Sequence, residues 1–115
     1  MLKNIYRFHG YGSLRYVYKN GKVSRNRNLI VKTINNPRRK NSRVAIVVSK
    51  KVHKSAVGRN RIRRRLYEIV RAELPNIPGV HDIVLIVVSS EVRTADYAEL
   101  TEIVRQCFDQ AGLYN

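Results

Sequence analysis

Apolar side chains recur along this chain with two different periods, and the switches between the periods mark the elements. Leu14, Val17 and Tyr18 share one face of a short helix that Ser13 can cap and Asn20-Gly21 can end. Residues 29–34, Leu-Ile-Val-Lys-Thr-Ile, have the β-branched character of a strand. Leu29, Val31 and Thr33 face one way and Ile30, Lys32 and Ile34 the other. The basic stretch 35–42, NNPRRKNS, reads as a turn-forming loop. Two continuous apolar runs follow, at 44–48 and 82–88, and both predict strands covered on both faces. Between them Ile62, Leu66, Ile69 and Val70 recur at helical spacing until Pro75 limits the pattern, so strand, helix and strand form a βαβ unit. A last helix starts at the capping-box-like Asp96-x-x-Glu99. It carries Leu100, Val104, Cys107, Phe108 and Ala111 on one face and ends at Gly112. This order predicts an α+β fold, a two-layer α/β sandwich in which helices cover a mixed sheet.

Length changes this picture little: 115 residues, 43% of them apolar, suffice for one core and hence one domain over 1–115. Residues 1–12 are expected to be loosely ordered. Charge changes it a great deal. The net charge is +15, and no acidic residue precedes Glu68, so residues 1–67 hold 20 of the 23 Lys and Arg while 68–115 hold all 8 Asp and Glu. Such asymmetry marks a basic face laid against phosphates. The single cysteine, Cys107, excludes an internal disulfide and a cysteine-based metal site, and fits a reducing, cytoplasmic setting. No run approaches membrane-span length, and no membrane partner is expected.

The candidate interface is the helix around Arg59–Tyr67. On a wheel of 100° per residue, Ile62, Leu66, Ile69 and Val70 define the buried side. Asn60, Arg64, Tyr67, Glu68 and Arg71 point away from it, with Arg61, Arg63 and Arg65 on the flanks. Arginines this dense, with few carboxylates among them, call for phosphates. The guanidinium's bidentate and stacking chemistry suits folded RNA. Ser49, Lys50 and Lys51 extend the positive field at the preceding strand end. Tyr6, Tyr11, Tyr16 and Tyr18 are interleaved with Arg7, Arg15 and Lys19, a mixture that can stack bases while pairing phosphates; Tyr18 can equally be core. Hydrolysis of RNA by a protein needs clustered carboxylates or a paired acid and base. Here Glu68, Glu73, Asp96, Glu99 and Glu102 read as helix-terminus and solubility features. His9, His53 and His81 lack partners at catalytic or zinc spacing.

The run RVAIVVSKKVHKSAVGRNRIRRRLYEIVRAEL, residues 43–74, resembles the signature of the bacterial ribonuclease P protein family: a strand ending in Ser-Lys-Lys, then a helix with Arg-Asn-x-x-Lys/Arg-Arg-x-x-Arg-Glu. Arg59, Asn60, Arg63, Arg64 and Glu68 match its spacing. Lys19-Asn20-Gly21, Asn26-Arg27 and the final Tyr-x-Glu-Leu helix agree with the family, so the likeness covers nearly the whole chain. The resemblance implies a four-stranded mixed sheet with three helices in the order α-β-β-β-α-β-α, with a left-handed crossover against the general rule. It also implies a monomeric subunit beside a catalytic RNA that uses Mg²⁺, bound mainly by that RNA, to remove the 5′ leader of precursor tRNA. Arg59, Asn60, Arg61, Arg63, Arg64, Arg65 and Tyr67, with Ser49, Lys50 and Lys51, would then face the catalytic RNA, and Leu14, Tyr18 and Lys32 would line a leader cleft. No catalytic or metal-ligating residue is expected in the chain. Three positions depart from the family pattern: Tyr67 replaces its last motif arginine, and Leu14 and Lys32 stand where aromatics are usual. Size and charge alone also fit a ribosomal or other RNA-scaffold protein, and a stand-alone ribonuclease is the third reading.

Overall fold

The structure is a computed structural model, and it describes residues 11–115. Tyr6, Arg7, His9 and the expected loose N-terminal stretch up to residue 10 lie outside the described residues. The elements run α1 (Tyr11–Asn20), β1 (Lys22–Arg25), β2 (Leu29–Asn35), β3 (Arg43–Val48), α2 (Ala56–Glu73), β4 (His81–Val87) and α3 (Tyr97–Gln110), with 3-10 turns at Leu74–Asn76 and Ser90–Arg93. The strands form one sheet in the order β1-β2-β4-β3; β3 and β4 are parallel and the other pairs antiparallel. This is the expected α+β fold.

Register explains which helix covers which face. Leu29, Val31 and Thr33 lie opposite Val87, Leu85 and Ile83, which in turn pair with Val48, Ile46 and Val44. All of these are buried, and with Ile62, Leu66, Ile69 and Val70 of α2 and Leu100, Val104, Cys107 and Phe108 of α3 their apolar members form the main core. The opposite face carries Ile30, Lys32 and Ile34, paired with Ile86, Val84 and Asp82. There the shorter α1 packs over β2 and β4, burying Val17 and Val84 completely. Cys107 is a core residue as expected, and burial pushes its thiol up to about 11.

Several expectations need correction. Ser13 lies inside α1 instead of capping it; packing of the Val17 face against the sheet, more than a local cap, decides where a helix this short forms. The run 44–48 is not covered on both faces: β3 is an edge strand, and Ala45 and Val47 remain half-buried beyond the reach of α1. The central β4 does have both faces covered, with Ile83, Val84 and Leu85 all at 0% exposure. The fourth strand that the resemblance implied is present as β1, Lys-Val-Ser-Arg, which has no apolar pattern of its own and exists because it pairs with β2.

Helix ends follow the local chemistry. Ser55 caps α2 by accepting from the Gly58 amide at 3.2 Å, and Asp96 caps α3 by accepting from the Glu99 amide at 2.8 Å. At the far end of α3, Gly112 adopts φ +75°, and the Leu113 amide donates to the Phe108 carbonyl at 3.1 Å. A left-handed residue there favours glycine, because a Cβ would crowd the carbonyl.

Candidate nucleic-acid interface

The basic helix is held together from below. Arg59/Arg63 and Arg61/Arg65 are like-charge pairs four residues apart, each destabilising by ~0.2–0.5 kcal/mol. Burial of Ile62, Leu66, Ile69 and Val70 supplies ~1.5–3 kcal/mol per side chain, so tertiary packing outweighs the repulsion by a wide margin. The approach to the helix is fixed by a turn at the end of β3, where the Val52 amide donates to the Ser49 carbonyl at 3.1 Å and the Val52 side chain is buried. That turn leaves Ser49, Lys50 and Lys51 exposed next to the positive end of the helix dipole. The His53 ring occupies the space over Gly58, where a Cβ would come within 2.3 Å of it, and its Nδ1 accepts from the Ser55 amide at 3.1 Å. His53 is therefore a structural residue of the helix start.

The arginines divide by what they touch. Arg59 donates to the His53 and Lys54 carbonyls at 3.0 and 2.9 Å, which locks it across the helix start. Arg63 donates to the Asn60 side-chain oxygen. Arg65 reaches across to the Ala95 carbonyl at 2.6 Å and ties α2 to the residue before the α3 cap. Arg61 and Arg64 are exposed; Arg64 makes only a long 3.4 Å contact to the Asn60 carbonyl one turn back. Arg61 and Arg64 are thus the arginines of this stretch that stand most open to solvent.

Tyr67 does not point away from the core. It is buried, with 7% exposure, and its hydroxyl accepts from the Ile46 amide at 3.3 Å. Among the described residues no strand pairs with the outer side of the edge strand β3, so alternate amides there need another partner; a long side chain on the flank of α2 provides it. Glu73 is likewise buried rather than a solubility feature: the Tyr114 hydroxyl donates to it at 2.7 Å, and Arg105 lies 3.6 Å away. Burial, then the neighbouring Glu73 carboxylate, raises the Tyr114 phenol above its ordinary range.

Two of the three residues expected in a cleft, Tyr18 and Lys32, meet on the other face of the sheet. The Lys32 ammonium donates to the Tyr18 carbonyl at 3.1 Å and sits 4.9 Å from the Tyr18 ring centroid. Tyr18 is 37% exposed and Leu14 half-buried. Desolvation by burial raises the Tyr18 phenol. Tyr16, grouped with Tyr18 by the sequence, lies 60% exposed away from the core.

Further polar residues fix the sheet beneath these surfaces. Arg43 and Asp82 form a buried bidentate pair across β3 and β4, with Nε and Nη2 at 2.8 and 2.6 Å from the carboxylate oxygens, and Asn36 donates to the same carboxylate at 3.0 Å. Asn26 accepts from the Asn28 and Leu29 amides at 2.9 Å each and donates to the Ile103 carbonyl at 3.1 Å, which starts β2 and fastens it to α3. The neighbouring Arg27 pairs with Glu91. An Asx-type turn before a strand is a readable signal for Asn26; nothing local marks the Arg43–Asp82 partnership, which spans 39 residues. Among the described residues, no three His, Cys, Asp or Glu side chains gather to hold a metal, and no helix is long and apolar enough to cross a membrane.

An α+β domain with an arginine-rich helix on one side of its sheet and a cation–aromatic cleft on the other defines a basic RNA-binding protein. The chain belongs to the ribonuclease P protein family, whose Ribonuclease P model matches residues 2–112. The ribonuclease P protein component of Synechocystis is 33% identical over 97 residues, 84% of this chain and 77% of that protein. That of Thermus brockianus is 42% identical over 95 residues, 83% of this chain but only 54% of its own length. Among solved structures, the Staphylococcus aureus RNase P protein superposes with a TM-score of 0.84 at 27% identity, covering 96% of this chain and 98% of that one. The Thermotoga maritima RNase P protein gives 0.78 at 28% identity and 94% coverage of both chains.

Proposed function

We propose that this chain is the accessory subunit of ribonuclease P: it docks a catalytic RNA through α2 and holds the 5′ leader of precursor tRNA between α1 and the sheet, while the RNA removes the leader. The observation that carries this reading is the placement of two RNA-compatible surfaces on opposite faces of one sheet. The exposed Arg61 and Arg64 belong to one face and the Tyr18–Lys32 pair to the other. A scaffold protein needs only one such surface; a subunit that joins an RNA to its substrate needs two.

The partners of the carboxylates support a binding role. Asp82 is committed to Arg43, Glu73 to Tyr114, Glu68 to Arg71 at 2.8 Å, and Glu91 to Arg27. The remaining acids, Asp96, Glu99, Glu102 and Asp109, are exposed at or on α3, and no three His, Cys, Asp or Glu side chains gather among the described residues, so these residues do not fit a Mg²⁺ site of the chain's own. In this reading Mg²⁺ belongs to the RNA partner, and the protein's part is electrostatic: screening phosphate repulsion between two RNAs so that substrate binds at lower metal concentration. Arg61 and Arg64 with Lys50 and Lys51 would position the catalytic RNA, and Tyr18 would stack a leader base while Lys32 meets its phosphate. The proposed setting is a cytoplasmic ribonucleoprotein holding one copy of the chain.

Adding the purified chain to its cognate catalytic RNA at low Mg²⁺ should raise cleavage of precursor tRNA at the 5′ leader junction. Absence of stimulation, or co-purification with ribosomal subunits at high salt in place of one structured RNA, would overturn the reading.

A further inference from the structure

Where the C-terminal end of α2 meets the β2–β3 loop and the turn into β4, the molecule holds a cavity of about 370 Å³, within the ~300–1,000 Å³ span of small-ligand sites. No residue of α1 and none of the stretch Arg59–Tyr67 lines it, so it is separate from the Tyr18–Lys32 pair and from the arginines described above. Its apolar lining includes the half-buried Leu74 and Val80 and the buried Ile77. Its polar lining includes Lys40, Asn41 and Arg71, and no carboxylate among the described residues lines it. Hydrogen bonds fix the frame: the Asn36 amide donates to the Val80 carbonyl at 2.8 Å, the His81 amide to Ser42 Oγ at 3.0 Å, and the Ile77 amide to the Leu74 carbonyl at 3.1 Å. Gly79 turns the chain at φ +79°, a conformation that favours glycine. The half-buried Asn41 side-chain amide has no hydrogen-bond partner among the described residues, so its donor and acceptor are available to a ligand. Arg71 pairs with Glu68 at 2.8 Å, but the two side chains are 56% and 40% exposed, and a pair so open to water holds its members weakly.

We propose that this cavity is a nucleotide site, in which one unpaired nucleotide of the RNA lying along α2 sets its base against Leu74, Ile77 and Val80 and its phosphate by Lys40 and Arg71. Asn41 meets the edge of the base. The assignment rests on the reading that α2 docks the catalytic RNA. Arg71 lies two turns beyond Arg64, ~10 Å along nearly the same stripe of the helix, so an RNA strand that meets Arg64 extends to the cavity. Two cations without a lining carboxylate select an anion, and the apolar lining selects a flat group that gives up water. A base splayed out of an RNA loop supplies both, whereas a phosphate ion or an uncharged apolar molecule uses only half of the site. A base held in a duplex cannot enter, so the cavity selects an unpaired position.

The test uses the full chain bound to its cognate catalytic RNA. Cys107 is buried, so Asn41→Cys provides one reactive thiol for an aryl azide photocross-linker. Irradiation should join it to one nucleotide, or two neighbours, in an unpaired segment of the RNA. Chemical probing should find that base shielded in the wild-type complex and open in Asn41→Trp, whose ring fills the cavity. Asn41→Trp should also weaken RNA binding about five- to tenfold, the lower part of the range for one bound base, and Lys40→Ala should weaken it too. Binding that depends on Arg64 but gives no cross-link from position 41, or cross-links only to paired nucleotides, would overturn the site and leave the docking reading standing. A loss in Lys40→Ala with none in Asn41→Trp would also overturn it, leaving a charge contact alone. Shielding of the position-41 thiol by a free nucleoside monophosphate, with no cross-link to RNA, would overturn the RNA as the source of the nucleotide. Failure of the wild-type chain to bind the RNA would overturn both readings. Far-UV circular dichroism of the variants excludes misfolding as the cause.

Discussion

Single residues decide how much of the arginine helix faces RNA. Tyr67 occupies a motif position where the family usually has arginine, yet its hydroxyl serves the Ile46 amide on the open edge of β3. Tyr67→Phe should therefore lower stability by ~1–3 kcal/mol, the penalty for a buried amide left without its partner. Urea unfolding measures this, and affinity for the catalytic RNA should stay within twofold of wild type; a large affinity loss with unchanged stability would return Tyr67 to the interface. On the same helical wheel Glu73 falls inside the apolar stripe of α2. Its burial against Tyr114 was thus readable from spacing, whereas its pairing with a residue 41 positions away was not.

At the scale of the element, α2 mixes two kinds of arginine that look alike in the sequence. Arg64 is exposed with one long contact, while Arg65 is half-buried and bonded to the Ala95 carbonyl at 2.6 Å. Arg64→Ala should weaken RNA binding by ~1.5–3 kcal/mol, as for a hydrogen bond to a charged group. The log–log salt slope should become shallower by about one unit. Arg65→Ala should act mainly on thermal stability, because it cuts the strap between α2 and the start of α3, and should change the slope less. Titrations of both variants against the catalytic RNA over a salt series separate the two roles; matching slopes would show that the Ala95 contact gives way to phosphate in the complex.

Over the whole molecule, the segregation of charge along the chain becomes a segregation in space. The basic half supplies α1, three strands and the first two-thirds of α2, and the acidic half supplies the exposed Asp96, Glu99, Glu102 and Asp109 at or on α3. A buried ion pair crosses the divide: Asp82 neutralises Arg43 and, through Asn36, joins three successive segments of the sheet. Asp82→Ala should destabilise the fold by ~3–5 kcal/mol, the penalty for stranding a buried charge. The double change Arg43→Met with Asp82→Leu should recover much of that loss in chemical denaturation; failure to recover would mean that the pair contributes more than mutual neutralisation.

Periodicity alone determined the helices α2 and α3, the strands β2, β3 and β4, the Asp96 cap and the Gly112 stop, because burial imposes its period directly on neighbouring residues. Spacing and charge likewise determined that Arg61 and Arg64 would be presented on a helix. Only the tertiary structure decided where β1 lies, that β3 is an edge, that Tyr67 turns inward, and that Lys32 meets Tyr18 while Tyr16 lines a cavity with the Arg43–Asp82 pair. These outcomes depend on which strands become neighbours and on hydrogen-bonding groups left open at an edge, and such facts come into being when distant segments meet.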